Sequence, residues 1–228
     1  MNAFGIIFTD TYNEDRVGEL TAVRPISGVP FGGRYRLIDF MLSSLVGASV
    51  SNVGILTKAR YGSMMDHLAG GRDWDLNRKN GGLQIITPFA RDINPDYLKN
   101  KFEALASAHG FIENSLQDYC VATDGNIVAN VNFEEVLRCH IEKKADITVI
   151  YRSAVPRHEE TEIFCAPDGR ITGALFHAAD QAGKKDVLMN TYIFNRSLLP
   201  EIVEKGITYG WNDFNKDFIV KHLSDMKM

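Results

Sequence analysis

The chain has 228 residues, 45% of them hydrophobic, and a formal net charge of −4. That is long enough for one large domain and apolar enough for a sizeable core, which excludes a disordered protein. No block of Lys or Arg stands out, which argues against the positive field that nucleic-acid and membrane-surface proteins rely on.

Ala3 to Thr9 is a short apolar run bounded by polar residues and reads as a buried parallel strand. A loop, Asp10 to Arg16, follows. The stretch from Gly28 to Phe40 turns at Pro30 and at Gly32-Gly33, where backbone freedom is highest. It then enters a helix whose apolar face is Leu37, Ile38, Met41, Leu42 and Leu45. Val53 to Thr57 is a second strand, Tyr61 to Leu68 a short helix, and Leu83 to Thr87 a third strand ended by Pro88. Tyr97 to Leu116 has a long helical pattern, with Leu98, Phe102, Leu105, Ala108 and Ile112 on one face. Tyr119 to Thr123 is a fourth strand, Phe133 to Lys144 a helix, and Asp146 to Tyr151 a fifth strand. Glu162 to Ala166 and Ile171 to Phe176 flank Pro167-Asp168-Gly169, a hairpin signal. Leu188 to Phe194 is a further strand, and two helices, Leu198 to Glu204 and Asp213 to Met226, close the chain.

Strands alternating with helices, each strand a continuous Val/Ile-rich run, give an α/β fold with an open, mostly parallel central sheet and a smaller antiparallel part. There is no internal repeat or Pro/Ser-rich linker, so a single domain over 1–228 is the simplest account. Three cysteines, Cys120, Cys139 and Cys165, are odd in number and widely spaced. Cys120 and Cys165 fall in apolar runs and read as buried free thiols of a reducing cytosol. No apolar run approaches the roughly 20 residues that span a bilayer, and no basic region precedes an apolar one at the N-terminus, so the expected location is cytoplasmic. The six histidines show no metal-ligand spacing. Surface or hydrogen-bonded histidines are the better reading.

Ligands of an open parallel sheet bind at the carboxyl ends of its strands, where the order reverses. The loops after Thr9 and Thr123 and the approach to Asp213 therefore matter most. These segments carry a resemblance. Gly18-Glu19-Leu20-Thr21, Val29 to Phe40, Asn52 to Thr57, Trp74-Asp75-Leu76, Lys79 to Gly82 and Asp213-Phe214-Asn215-Lys216-Asp217 together resemble glucose-1-phosphate adenylyltransferase (ADP-glucose pyrophosphorylase). The resemblance covers essentially the whole chain. It implies a Rossmann-like nucleotidyltransferase fold of the glycosyltransferase-A type, and the activation of glucose for glycogen synthesis. The family's C-terminal left-handed β-helix of hexapeptide repeats is absent from these 228 residues, which implies a fragment or a truncated form.

The departures from the family pattern converge on one pocket. Catalytic members follow the first strand with Gly-Gly-x-Gly-Ser/Thr-Arg-Leu, whose backbone N–H groups cradle a triphosphate. Aligned on Arg16, this chain has Thr11, Tyr12, Asn13, Glu14 and Asp15 there, with no glycine and with carboxylates at Asp10, Glu14 and Asp15. Two aspartates hold Mg²⁺ in active relatives. The first falls on Asn126, in Asp124-Gly125-Asn126, and the second is kept as Asp213. Magnesium is held by one or two carboxylates plus substrate phosphates, and an amide oxygen supplies no charge. Asp124 replaces the lost carboxylate only if the loop shifts by two residues, and Asp213 also reads as an ordinary helix N-cap. The Glu-Glu-Lys-Pro that meets the sugar phosphate is replaced by His177-Ala178-Ala179-Asp180 after Phe176, with Lys184 and Lys185 as solvated loop charges. The Gly-Thr-Ala-Asp-Ala helix start becomes Phe102 to Ala106, and Ser-Met-Gly becomes Leu188-Met189-Asn190.

By this resemblance the chain is expected to be a regulatory, catalytically impaired subunit of glucose-1-phosphate adenylyltransferase that joins a catalytic subunit in a hetero-oligomer. Arg16, Asp124, Asn126 and Asp213 form its vestigial nucleotide and sugar-phosphate pocket, with Asp213 the metal ligand if there is one. The alternatives are a nucleotidyltransferase with residual or altered activity, using Arg16, Asp124 and Asp213, and a sensor that binds ATP or glucose 1-phosphate without turnover. Mg²⁺ with ATP belongs only to the alternatives.

Overall fold

The computed structural model describes residues 1–10, 14–57, 60–87, 100–177 and 179–228, and of residues 14–16 the backbone alone. In chain order the strands and α-helices are β1 (Ala3–Phe8), β2 (Pro30–Phe31), β3 (Tyr35–Arg36), α1 (Leu37–Gly47), β4 (Asn52–Leu56), α2 (Gly62–Leu68), β5 (Gly82–Ile86), α3 (Lys101–Ser107), α4 (His109–Asn114) and β6 (Tyr119–Asp124). They continue with α5 (Phe133–Glu142), β7 (Ile147–Ala154), β8 (Thr161–Cys165), β9 (Ile171–Phe176), β10 (Lys185–Asn195) and α6 (Leu199–Thr208). Among the described residues an eight-stranded sheet has the order β5-β4-β1-β6-β10-β8-β9, with β7 also paired to β10.

All six residues of β1 are buried, because the strand is covered on both faces and paired in parallel on both edges, to β4 and to β6. Its side chains alternate with a period of two. Phe4, Ile6 and Phe8 enter a core with Phe102, Leu105 and Ile202. Ala3 and Ile7 enter the core on the opposite face, with Met41, Leu42, Leu45 and Phe133. Of the expected apolar face of α1, Ile38, Met41, Leu42 and Leu45 are fully buried and Leu37 is half-buried. Gly32 and Gly33 both adopt positive φ (60° and 93°), closing the β2–β3 hairpin that feeds this helix. The carboxyl half is antiparallel, as expected: β10 pairs with β6, β7 and β8, and β8 with β9.

Three sequence expectations are corrected. The pattern from Tyr97 to Leu116 is two short helices, α3 and α4, within the described residues. Asn100 starts α3 by accepting from the Glu103 N–H at 2.9 Å. Ser107 turns its hydroxyl back to the Ala104 carbonyl, a local bond that competes with the helix ladder, and Ala108 leaves helical geometry at φ −91°, ψ 7°. The closing helix from Asp213 to Met226 is a π-helical turn, Phe214–Ile219, followed by turns. There the Val220 N–H reaches the Asn215 carbonyl at 2.8 Å, and Phe214 stacks on Phe102 with centroids 5.1 Å apart while Phe218 meets the same ring edge-on. Packing two rings onto Phe102 sets this turn against ordinary helix propensity. Cys120 is buried as expected, but Cys165 is exposed, because a register shift between Phe164 and Cys165 interrupts the alternation of β8.

Gly206 carries the contact between α6 and α3. A Cβ there would lie 2.3 Å from Phe102 Cδ1, and Phe102 is fully buried among aromatic rings. Overpacking typically costs about 1–3 kcal/mol, and so close an approach belongs at the upper end of that range; after the roughly 1 kcal/mol that Ala gains over Gly in a helix, Gly206→Ala is expected to destabilise the chain by a net ~1–2 kcal/mol. The urea midpoint reads the difference. A midpoint unchanged or raised would contradict the contact.

Candidate functional site

β1 and β6 end side by side, with Phe8 opposite Asp124, and β4 ends on the other side of β1. This is where the parallel strand order reverses and where open α/β sheets bind ligands. The local chain is tightly tied. Thr9 donates its N–H and its hydroxyl to the Leu56 carbonyl, at 3.0 and 3.1 Å. The Ser27 hydroxyl donates to the Thr9 carbonyl at 2.7 Å. After β6 the Gly125 N–H reaches back to the Phe8 carbonyl at 2.8 Å. Only glycine fits there, since a Cβ would lie 2.8 Å from Ser27 Oγ and 2.9 Å from Ile7 Cγ2.

Asp124 is buried at this point, and its Oδ1 lies 2.7 Å from the ammonium of Lys101, with side chains 3% and 9% exposed. The same ammonium sits over the rings of Phe8 and Tyr192, at 5.2 and 5.7 Å from their centroids. Lys101 is the first residue of α3, a position where the partial positive charge of a helix N-terminus disfavours a cation. The tertiary partner, not the helix, selects it. Behind the pair lies a polar network. The Tyr192 hydroxyl donates to Asn215 Oδ1, and Asn215 Nδ2 donates to Asn190 Oδ1 at 2.7 Å. Burial first, and then the negative charges of Asp124 and Asp213, push the Tyr192 phenol well above its ordinary pKa, so it stays protonated and donates. Asn190 takes φ 53° where the β7–β10 register shifts between Leu188 and Tyr192.

The four residues expected from the sequence are arranged as follows. Asp124 is pinned by Lys101. Asn126 is half-buried in the turn two residues on. Asp213 is half-buried and caps the π-helical turn, accepting from the Lys216 N–H at 2.7 Å, and its own N–H donates to Asp217 Oδ2 at 3.1 Å. Arg16 belongs to a 3₁₀ segment, Glu14–Thr21, and its side chain lies outside the described residues, as do those of Glu14 and Asp15 and the whole of Thr11, Tyr12 and Asn13. With the Lys101 ammonium in place, these residues do not fit the Mg²⁺ that the resemblance implies. The Asp124 carboxylate already has its counter-charge, Asn126 is neutral, and Asp213 spends an oxygen on a backbone N–H. No group of three His, Cys, Asp or Glu side chains among the described residues could hold a metal ion.

Sequence reasoning missed Lys101, because it ran the helical pattern from Tyr97 to Leu116 and so placed this residue inside a helix, whereas α3 starts at Lys101. The available signal was the Asn100-Lys101 pair, a capping residue followed by a cation where a helix disfavours one. Lys185 is exposed, as the reading of a solvated charge has it, but it opens β10 and not a loop, and it lies 3.3 Å from Glu162 Oε1. Glu162 is buried and its other oxygen meets buried His177 Nε2 at 2.9 Å. His177 therefore closes a buried hydrogen-bonded pair, and Lys185 balances its charge. His67 is likewise satisfied, at 2.7 Å from Asp39 Oδ1, and His140 by Thr148 and Asn195. Burial holds the His140 imidazole below its ordinary pKa. A groove of about 990 Å³ lies elsewhere, between the hairpin residues Phe31 and Tyr35, Phe40 and Ser43 of α1, and residues 128–133. Of the expected residues whose side chains are described, Asp124, Asn126 and Asp213, none lines it.

A model of the family described as nucleotidyl transferase matches residues 14–228. The chain is 38% identical over 149 residues to the glycogen biosynthesis protein GlgD of Bacillus subtilis (strain 168), covering 65% of this chain and 43% of that protein. It is 41% identical over 152 residues to GlgD of Geobacillus stearothermophilus, covering 64% and 42%. It is 30% identical over 219 residues to a glucose-1-phosphate adenylyltransferase of Clostridium kluyveri, covering 93% of this chain and 57% of that enzyme. The chain spans about half the length of the curated relatives it matches. No described helix is long and apolar enough to cross a membrane.

The Lys101–Asp124 pair predicts a strongly non-additive response. Lys101→Met leaves a buried carboxylate without its cation and is expected to cost about 3–5 kcal/mol, whereas replacing both partners by apolar residues of similar size is often close to neutral. Lys101→Met with Asp124→Leu should therefore be more stable than Lys101→Met alone in denaturant unfolding. Additive losses would mean the two side chains are energetically independent.

Proposed function

The chain belongs to the nucleotidyl transferase family, and from that premise we propose that it is a glycogen-biosynthesis protein acting as the regulatory, catalytically impaired partner of a glucose-1-phosphate adenylyltransferase. The observation that carries this reading is the engagement of the site's charged groups with one another. Nucleotidyl transfer depends on positioning a polyphosphate and neutralising its charge as bonds change. In this chain the carboxylate at the end of β6 is balanced by Lys101 at 2.7 Å, and the position that the resemblance gives to a metal-binding aspartate is Asn126. The similarity to two GlgD proteins at 38% and 41% supports the same pathway. A chain of this kind acts on a partner through contacts that differ between the partner's two states, not through chemistry of its own.

Purified protein is expected to release no pyrophosphate and to form no ADP-glucose from ATP, glucose 1-phosphate and Mg²⁺, even at high protein concentration. Asn126→Asp alone should recover little, because groups that act as a unit are not restored one at a time. Robust, metal-dependent turnover in either protein would reject the impaired-site reading.

Mixed with a catalytic glucose-1-phosphate adenylyltransferase of the same pathway, this chain is expected to co-elute on size exclusion and to change the partner's maximal rate or apparent substrate affinity. Absence of both a complex and a rate change at about micromolar concentration, a range in which a specific interface is populated, would reject the regulatory reading.

A further inference from the structure

A buried lysine requires a partner that compensates its desolvation, because this residue is almost never fully buried unless paired. Lys101 is 7% exposed. It opens α3, where the helix terminus repels it, and its ammonium is enclosed by Asp124 and by the rings of Phe8 and Tyr192. Asp124 in turn stands at the carboxyl end of β6, opposite the last residue of β1. After burial, the negative charges of Asp124 and Asp213 both push the Tyr192 phenol above its ordinary pKa. A compact ammonium with three donors is a point charge that balances one carboxylate. A hydrated divalent ion held by one or two carboxylates balances the same group with oxygen ligands at short range.

We propose that Lys101 is a resident stand-in for a divalent cation: its ammonium occupies the cation side of Asp124 and is what keeps that carboxylate from binding a metal ion. The proposal rests on the reading of this pocket as a degraded nucleotidyl-transfer site, and it names the side chain that holds the site shut. The loss of metal binding is then not simply the absence of ligands. One carboxylate remains, and a tethered cation competes for it at an effective concentration that free metal cannot match.

The test uses the 228-residue chain and Mn²⁺ as the probe, read by the loss of its free electron-spin signal and by thermal unfolding. The native protein should bind no Mn²⁺ at this site and show no rise in Tm with the metal. Lys101→Ala should bind about one Mn²⁺ per chain, at least about tenfold tighter than the native chain, and its Tm should rise with metal concentration as linkage requires. Both effects should vanish in Lys101→Ala combined with Asp124→Asn. Where Lys101→Ala does not accumulate as folded protein, Lys101→Met carries the same two measurements, and added Mn²⁺ should restore folding if the ammonium is replaceable by metal. No binding and no rise in Tm in either folded variant overturns the proposal. So does failure of Mn²⁺ to rescue when neither folds, and so does Mn²⁺ binding by the native chain that Asp124→Asn abolishes. ADP-glucose synthesis by the native chain is a separate outcome that removes the regulatory reading. Without such synthesis, a metal-blind Lys101→Ala removes this inference alone.

Discussion

The parallel pairing of β1 between β4 and β6 is the constraint on which the rest depends. It buries all six residues of β1 and divides them by alternation between two cores. It also fixes Phe8 opposite Asp124. A slip of one residue in this register would exchange the two faces of the strand. Phe4, Ile6 and Phe8 would then point at α1, and Ile7 at Phe102, and neither core would close. Because the register is held by burial on both faces, the place where the strand order reverses is rigid. The tie from Gly125 back to the Phe8 carbonyl and the tight approach of Ser27 to Gly125 follow from it.

On this rigid edge the energetics of a single ion pair become large. Exposed pairs such as Lys205–Glu201, with side chains 47% and 61% exposed, contribute little, since water screens them. Lys101 and Asp124 are enclosed, so each depends on the other to offset desolvation. The aromatic faces of Phe8 and Tyr192 add a cation–π attraction. The same rings exclude water and so raise the cost of separating the charges. The Tyr192–Asn215–Asn190 network carries this polar interior onward to the π-helical turn and to Asp213.

The antiparallel half contributes through β10. This strand of 11 residues joins β6 to β7 and β8, so its irregularity at Asn190 acts on the whole site. The left-handed backbone there aims an amide at Asn215 where regular alternation would have sent it elsewhere. On the same half, buried Glu162 and His177 form a second charged pair, met from the solvent side by exposed Lys185, in the region where the family resemblance implied the loss of a sugar-phosphate lysine.

Much of this was legible in the residues themselves. Short continuous apolar runs such as Ala3–Thr9 and Val53–Thr57, bounded by polar residues, read as strands covered on both faces, and the spacing of Ile38, Met41, Leu42 and Leu45 reads as one face of a helix. Local period and burial share one cause, the need to remove apolar surface from water, so sequence alone determined the α/β class and the strand order along the chain. The Asn126 substitution and the capping character of Asp213 were also visible, since each depends on residue type and near neighbours. Lys101 was not. Its meaning comes from Asp124, 23 positions away, and from Phe8 and Tyr192, brought together only by the sheet. The break between α3 and α4, the π-helical turn and the pairing of Lys185 with Glu162 share that origin. Each is a local preference overruled by a distant contact, and such contacts are decided by tertiary packing because no local pattern encodes the distance they span.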